Sequence, residues 1–414
     1  MTPAPLDAVS SEVVGAGGSR ARLTDLPMPR ARTVLPDSAR SAGEAGSPVP
    51  VRPAEPIPQL AALVPDGVVD RLTDRYGRTV RDLRLSITDR CNLRCTYCMP
   101  AQGLEWLPTP DLLTTAELTR LGRLAVECLG VERIRLTGGE PLLRRDLEEV
   151  VASLSTLRTA AGGKPDIALT TNGLGLEKRA AGLREAGLDR VNISIDSLDP
   201  RDYAAITRRD RLGDVLAGIA GAQEAGLFPI KVNAVALPGT VEARAPRLLA
   251  ECLRRGWQLR FIEHMPLGPR ETWRSRDVVG AEQVLAALRA DGFTLTEAGR
   301  PDRRPAALWH VAAGTHESRA HPAGSVGIIA SVTAPFCSDC DRTRVTADGR
   351  LMTCLFSTTE TDLRGPMRAG ADDDELIRIW AGATWLKPRA HGSDAPPVAD
   401  GFARPQRTMS AIGG

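Results

Sequence analysis

Eight cysteines occur in the 414-residue sequence, and six of them fall into two groups of three. Cys91, Cys95 and Cys98 are spaced C-x3-C-x2-C, while Cys337 and Cys340 are spaced C-x2-C, with Cys354 after thirteen further residues. Thiolates are soft ligands that suit zinc or iron–sulfur centres. A structural zinc ion needs four ligands, yet each group supplies three thiols. No histidine precedes His264, and the histidines nearest the second group, His321 and His391, stand sixteen or more residues from it. An aspartate such as Asp89, Asp339 or Asp341 could complete a zinc site, which keeps that reading open. The alternative is a 4Fe-4S cluster on each triad, with one iron left without a protein ligand. Such an iron can bind a substrate group directly, as the open position of a catalytic zinc does. Cys128 and Cys252 stand alone in helix-like segments and read as buried, inert thiols.

Charges set inside apolar runs are the second chemical signal. Arg84 lies between Leu83 and Leu85, and Arg260 between Leu259 and Phe261. A buried unpaired charge is costly, so each needs a wet face, a carboxylate or an anionic ligand. Lys231 stands between Ile230 and Val232 and is one of only four lysines against 49 arginines. Where arginine is the habitual cation, a compact ammonium inside a strand points to a specific anion contact. Glu140 and Glu263 take no acid–base role in this reading, and His264 reads as packing or support.

These residues sit on a regular pattern of elements. Apolar runs at residues 83–88, 133–137, 167–171, 190–195, 230–237 and 259–262 alternate with amphipathic segments such as 115–129, 145–157 and 241–255. Thr114 with Glu117 three residues later predicts a capping box. Strand–helix–strand repeats imply parallel βα units. Six units predict an α/β fold, either an open doubly wound sheet or an incomplete (βα)6 TIM-like barrel, and both gather their chemistry at the C-terminal strand ends. Gly138, Gly139 and Glu140 fall there, as do Thr171, Asn172 and Gly173, Ser194 and Asp196, and Glu263 and Met265. After residue 290 the alternation stops. Strand-like pieces at 325–332 and 343–347 and a polar helix at 372–381 predict a smaller C-terminal domain around the second triad.

Composition bounds the remaining possibilities. No run of about 18 apolar residues predicts a membrane-spanning helix. With 53 basic and 51 acidic residues the formal charge is +2, so no nucleic-acid or membrane partner is expected from the overall field. Residues 1–64 are dominated by Pro, Ala, Ser, Gly and Arg and read as a disordered extension. Asp7, Glu12 and Asp25, without an apolar core after them, argue against a secretory signal, so reduced thiols and a cytoplasmic setting are expected. The predicted organisation is a partial barrel over 65–290 with the first triad, a domain over 291–392 with the second, and a tail over 393–414 ending in Gly413-Gly414.

The first triad, with Tyr97 before its last cysteine, resembles the radical S-adenosylmethionine (SAM) superfamily. Gly138-Gly139-Glu140-Pro141 is similar to that superfamily's motif for the methionine amino group. Within it, residues 81–91, 135–144, 170–173, 260–263 and 336–344 and the Gly-Gly end resemble the GTP 3′,8-cyclase family over about residues 68–414; the first 64 residues have no counterpart. The second triad with Arg342 and Arg344 separates this family from other radical SAM enzymes. The resemblance implies the radical SAM type of partial barrel and two 4Fe-4S clusters, on Cys91, Cys95 and Cys98 and on Cys337, Cys340 and Cys354. It implies SAM contacts at Tyr97, Gly139, Thr171, Ser194 and Met265. It implies GTP contacts at Arg84, Arg133, Arg135, Lys231, Arg260, Arg342 and Arg344, with Arg133 where relatives often carry Lys and with Gly413 and Gly414 reaching the site. Cys91, Cys95, Cys98, Arg342 and Arg344 would carry the catalysis. The implied activity is radical cyclisation of GTP, the first step of molybdenum cofactor biosynthesis. An external one-electron donor would feed it, its product would pass to cyclic pyranopterin monophosphate synthase, and a homodimer stays open. Two other readings compete: a radical SAM enzyme that modifies peptides or metabolites, which would lack the triphosphate arginines, and a zinc-stabilised interaction protein, which would hold no iron.

Overall fold

Side-chain alternation with period two decides which face of each strand meets the helices. The six apolar runs form parallel strands β1 (Asp82–Ser86), β2 (Arg133–Thr137), β3 (Asp166–Thr171), β4 (Arg190–Ser194), β5 (Lys231–Ala236) and β6 (Gln258–Glu263), each paired with the next. The computed structural model describes residues 57–64, 69–301, 303–391, 405 and 407–413. Helix α1 (Ile57–Ala62) precedes β1. Helices α2 (Thr115–Arg123), α3 (Leu147–Ser155), α4 (Leu176–Glu185), α5 (Pro200–Thr207), α6 (Leu212–Glu224) and α7 (Val241–Arg254) connect the strands. Leu83, Leu85, Ile134, Leu136, Ile167, Leu169, Val191, Ile193, Val232 and Leu259 occupy one parity and are buried in the main core. The opposite parity carries the charged residues.

The capping box at α2 is present. Thr114 Oγ1 accepts from the Glu117 amide at 3.2 Å, and Glu117 Oε2 accepts from the Thr114 amide at 2.8 Å. The helix expected over 115–129 is α-helical to Arg123 and π-helical over Leu124–Cys128.

The C-terminal segment is not a separate layer. After α8 (Ala281–Ala290) come β7 (Leu295–Gly299), β8 (Ala307–Val311), a small hairpin of β9 (Gly314–His316) and β10 (Arg319–His321), and then β11 (Gly324–Ile329), β12 (Arg342–Val345), β13 (Arg350–Met352) and β14 (Thr361–Asp362). β11 pairs in parallel with β6, and β12 pairs in parallel with β1. Among the described residues one twelve-stranded sheet results, ordered β14-β13-β12-β1-β2-β3-β4-β5-β6-β11-β8-β7. The segment expected to fold as a smaller domain therefore extends the sheet of the partial barrel at both edges. It closes with α9 (Arg364–Arg368), α10 (Asp373–Trp385) and α11 (Met409–Ile412). α10 is not merely polar as expected: Leu376, Ile379 and Trp380 are buried in the core.

The expected extension over 1–64 is corrected at its end, where α1 is ordered against α10. Leu60 is 2% exposed, and a Cβ on Gly382 would lie 2.0 Å from the Leu60 carbonyl oxygen. Glycine at 382 thus lets the α1 backbone sit directly on α10. The other residues of the expected extension, 1–56, lie outside the described residues. Leu60→Ala is expected to destabilise the protein by about 2–4 kcal/mol, the cost of a cavity under α1. Urea unfolding reads it, and an unchanged midpoint would show that α1 is not part of the core.

Candidate active site

The charged parity of eight neighbouring strands, β1–β6, β11 and β12, lines one cavity of about 560 Å³. A single cavity touched by alternate residues of so many adjacent strands means that the sheet wraps around it, as a partial barrel does. The volume lies within the range of small-molecule sites, roughly 300–1,000 Å³.

One part of this cavity is strongly cationic. Arg84, Arg133, Arg135, Lys231, Arg260, Arg342 and Arg344 all line it, so the structure brings together every cation singled out from the sequence. Strand register explains the density, since Arg84 stands between Arg135 of β2 and Arg344 of β12. Arg190, Arg303 and Arg304 also line the cavity and were missed. Parity could have found Arg190, which shares a strand face with Ser194.

Few carboxylates balance these charges. Buried Asp82 lies 3.5 Å from Arg84 Nε, 3.8 Å from Arg133 Nε and 3.9 Å from Arg135 Nη2. Asp341 accepts a hydrogen bond from Arg133, and Asp166 accepts one from Arg190. Arg260 Nη2 donates to Asn192 Oδ1 at 2.8 Å. The Nε atoms of Arg84, Arg135 and Arg260 are buried without a hydrogen-bond partner. Burial, and then Arg135, pushes the Arg84 guanidinium down to about 9. Burial, and then Arg84, brings Arg260 and Arg344 each down to about 9 as well. Lys231 falls to about 7, through burial and then Arg260, Arg190, Arg135 and Arg304. Buried N–H donors without acceptors, among cations that repel one another, fit a polyanionic ligand.

The C-terminal strand ends carry the first cysteine group. Cys91, Cys95 and Cys98 are free and half-buried on the loop after β1, and Tyr97 and Cys98 reach the cavity. The Tyr97 hydroxyl donates to Asp196 Oδ2 at 2.8 Å, and Asp196 Oδ1 accepts from the Val235 amide at 2.8 Å. Ser194 and Met265 line the same cavity. Gly139 packs under the cysteine loop, where a Cβ would lie 2.4 Å from the carbonyl oxygens of Asp89 and Arg90. Burial pushes the Cys91 thiol up to about 11 and the Cys98 thiol to about 12. Both stay protonated at neutral pH unless a metal centre replaces the proton.

Cys337, Cys340 and Cys354, also free, line an adjoining cavity of about 80 Å³. Phe336, Arg342, Arg344 and Leu355 line both cavities and form their common wall. Burial raises the Cys340 thiol, but Arg342 and Lys387 outweigh it and bring the thiol down to about 6. Arg342 Nη2 donates to its sulfur at 3.6 Å. His391 lines the smaller cavity as well, with Nδ1 3.8 Å from Cys337 Sγ. Its distance along the chain hid it from the sequence reading. Among the described residues no carboxylate lines this cavity, so the donor set is soft and fits an iron–sulfur cluster or zinc.

Thr171 is turned away from the cavity. Asp166 and Thr170 share the lumen parity of β3, whereas Thr171 is buried behind it and donates to Glu140 Oε1 at 2.6 Å. Thr171, expected to meet the ligand, does not face the cavity, and by strand parity Thr170 is the residue of the pair that does. Glu140 also accepts from the amides of Leu142 and Asn172 at 2.9 and 2.7 Å, which braces its turn on β3. Glu263 accepts from the amides of Val332 and Thr333 at 2.7 and 2.8 Å, which ties β6 to the loop leading to the second triad. Both carboxylates are backbone anchors. The Gly413 carbonyl accepts from Arg344 Nη1 at 2.7 Å. Gly413 has φ 84°, and a Cβ there would lie 2.4 Å from Thr137 Oγ1, so only glycine fits where the chain enters the strand ends. Gly414 lies outside the described residues.

The chain is similar to known proteins. Residues 85–252 match the Radical SAM superfamily, and residues 257–393 match Molybdenum Cofactor Synthesis C. A GTP 3′,8-cyclase from Corynebacterium glutamicum is 58% identical over 83% of this chain and 89% of its own length. Another from Mycolicibacterium smegmatis is 51% identical over 92% of this chain and 98% of its own length. The crystal structure of Streptococcus suis SuiB bound to S-adenosylmethionine aligns with a TM-score of 0.50 at 12% identity, covering 80% of this chain and 76% of that chain, and shares the fold.

Proposed function

The chain belongs to the GTP 3′,8-cyclase family of radical SAM enzymes, and from that premise we propose how its cavity performs the family's reaction. The activity is cyclisation of GTP to (8S)-3′,8-cyclo-7,8-dihydroguanosine 5′-triphosphate, the first step of molybdenum cofactor biosynthesis. A 4Fe-4S cluster with SAM would supply the one-electron radical chemistry that activates the GTP ribose. The protein's part is to hold, orient and shield.

One observation carries the reading: Cys98 and Tyr97 share a single cavity with the seven cations expected to contact GTP. Cys91, Cys95 and Cys98 hold the cluster, and Tyr97, Gly139, Ser194 and Met265 surround SAM, with Thr170 in place of Thr171. Arg84, Arg133, Arg135, Lys231 and Arg260 take the triphosphate, whose oxygens satisfy the unpartnered Nε atoms. Cys337, Cys340 and Cys354 would hold a second 4Fe-4S cluster beside the wall of Arg342 and Arg344 that the two cavities share. Gly413 fixes Arg344 through its carbonyl. Orientation of the ribose between the two centres is the main catalytic contribution. The reading extends to a cytoplasmic enzyme with an external one-electron donor, whose product goes to cyclic pyranopterin monophosphate synthase. Among the described residues no helix is long and apolar enough to cross a membrane.

The test is to incubate the reduced, iron-reconstituted chain with SAM and GTP. 5′-Deoxyadenosine is expected to form only when GTP is present. Release that does not depend on GTP, or no release, would sink the reading.

Lys231 gives the binding step a pH signature. With its ammonium held near 7, much of the nucleotide-free protein carries a neutral Lys231 above that pH. A bound triphosphate favours the charged form, so binding takes up a proton. GTP affinity is expected to fall above pH 7 by up to about tenfold per pH unit, until the raised pKa of the complex is passed. Calorimetry in buffers of different ionisation enthalpy reads the proton uptake directly. Lys231→Met is expected to weaken binding and to flatten this pH dependence.

A further inference from the structure

Among the described residues His391 is the one histidine lining the cavity of the second triad, and its setting is built rather than incidental. Arg78, buried and ion-paired to Asp74 at 2.6 Å, donates from Nη1 to the Cys337 carbonyl at 2.7 Å and to the Arg389 carbonyl at 3.0 Å. Its Nη2 donates to the Pro388 carbonyl at 2.6 Å. One guanidinium therefore fixes the spacing between the Cys337 loop and the chain leading into His391. Lys387 adds a second tie, with Nζ donating to the carbonyls of Cys340 and Arg342 at 3.0 and 2.8 Å. The third cysteine is reached through Phe356, two residues after Cys354, whose ring lies 5.1 Å from the His391 ring at 48°. Held from these sides, His391 brings Nδ1 to 3.8 Å from Cys337 Sγ.

We propose that His391 is a positioning residue of the auxiliary centre, donating an N–H bond to the Cys337 thiolate and thereby raising that cluster's reduction potential. The inference rests on the reading of Cys337, Cys340 and Cys354 as cluster ligands. Hydrogen bonds to ligand sulfur withdraw electron density and make a cluster easier to reduce. Partners of ligands are where such tuning resides. An auxiliary centre that exchanges an electron with the nucleotide would need its potential set; at the first triad the nearby imidazole, His264, packs its ring against Tyr97 with centroids 6.1 Å apart.

The test compares the full chain with its His391→Ala and His391→Gln variants after anaerobic iron reconstitution. Iron content, the electron paramagnetic resonance of each reduced cluster and redox titration are the readouts. All three proteins are expected to hold roughly eight irons per chain, four per cluster. His391→Ala is expected to move the auxiliary potential to a more negative value and leave that of the first cluster in place. His391→Gln, which keeps an N–H donor, is expected to recover part of the shift. An auxiliary potential equal to wild type in His391→Ala overturns the proposal. If His391→Ala cannot hold its second cluster, His391→Leu, which fills the space without an N–H donor, decides: a more negative potential supports the proposal and a wild-type value overturns it. Roughly four irons and one zinc in the wild-type chain would overturn the auxiliary-cluster reading itself, with His391 then a fourth zinc ligand.

Discussion

Replacing Cys95 by alanine is expected to abolish formation of 5′-deoxyadenosine, whereas replacing Cys340 is expected to remove the auxiliary cluster alone. The two triads lie in separate cavities joined only by a common wall, so loss of one should not empty the other. Neither substitution should unravel its loop, because backbone contacts hold both loops. The Arg94 amide donates to the Thr207 carbonyl at 3.1 Å, and the Thr96 amide to the Ile206 carbonyl at 2.9 Å, which fastens the first loop to α5. Lys387 holds the Cys340 carbonyl regardless of the side chain at 340. Alanine therefore removes a ligand, not a fold. Each variant is expected to fall from roughly eight irons per chain to roughly four. Only the Cys95 variant should lose SAM cleavage outright. The Cys340 variant should keep its first cluster and fail to deliver the cyclised nucleotide. Iron analysis paired with chromatographic detection of 5′-deoxyadenosine checks both. A Cys95 variant that still cleaves SAM would remove the first triad from the mechanism.

The sequence made the lumen face of the barrel readable, because a charge between two apolar neighbours in a strand can face only one way. Arg84 between Leu83 and Leu85, and Arg260 between Leu259 and Phe261, located both the core and the site in one step. The same parity would have excluded Thr171 and chosen Thr170, and would have added Arg190. Asp82 was harder to see, since its importance lies in cross-strand register with Arg133 and Arg342. The edge pairings of β11 and β12 were not legible at all. Both are long-range parallel contacts that leave no local periodicity, so nothing in the sequence tells that strands of the C-terminal segment join the sheet of the barrel at its edges. His391 and α1 failed for a related reason: each is defined by a contact with a distant element, Cys337 in one case and Gly382 in the other.

Arg260→Met is expected to stabilise the nucleotide-free protein while it destroys much of the affinity for GTP. The cost of holding Arg260 charged is visible in its pKa, brought down to about 9 by burial and then by Arg84, Arg190 and Arg304. A cation whose pKa is lower in the folded chain than in the unfolded chain binds protons more weakly when folded. The penalty is therefore full at neutral pH, and it is relieved only as the pH rises through about 9. Methionine conserves much of the packing and carries no charge. Its gain is offset in part by the lost hydrogen bond from the charged guanidinium to Asn192, worth about 1.5 kcal/mol at the low end for a charged donor. Replacing buried charge with apolar volume commonly stabilises by about 1–4 kcal/mol, so a net gain on the order of 1 kcal/mol is expected. Against this, an arginine–phosphate contact in an enclosed site is worth about 1.5–3 kcal/mol, which is roughly a 10–100-fold loss of affinity. Thermal unfolding with and without GTP reads both terms at once. The variant should unfold at a higher temperature than wild type in the absence of nucleotide and gain less from saturating GTP. A variant that is destabilised without nucleotide, yet protected by GTP as strongly as wild type, would show that Arg260 is a structural cation rather than one held under strain for its ligand.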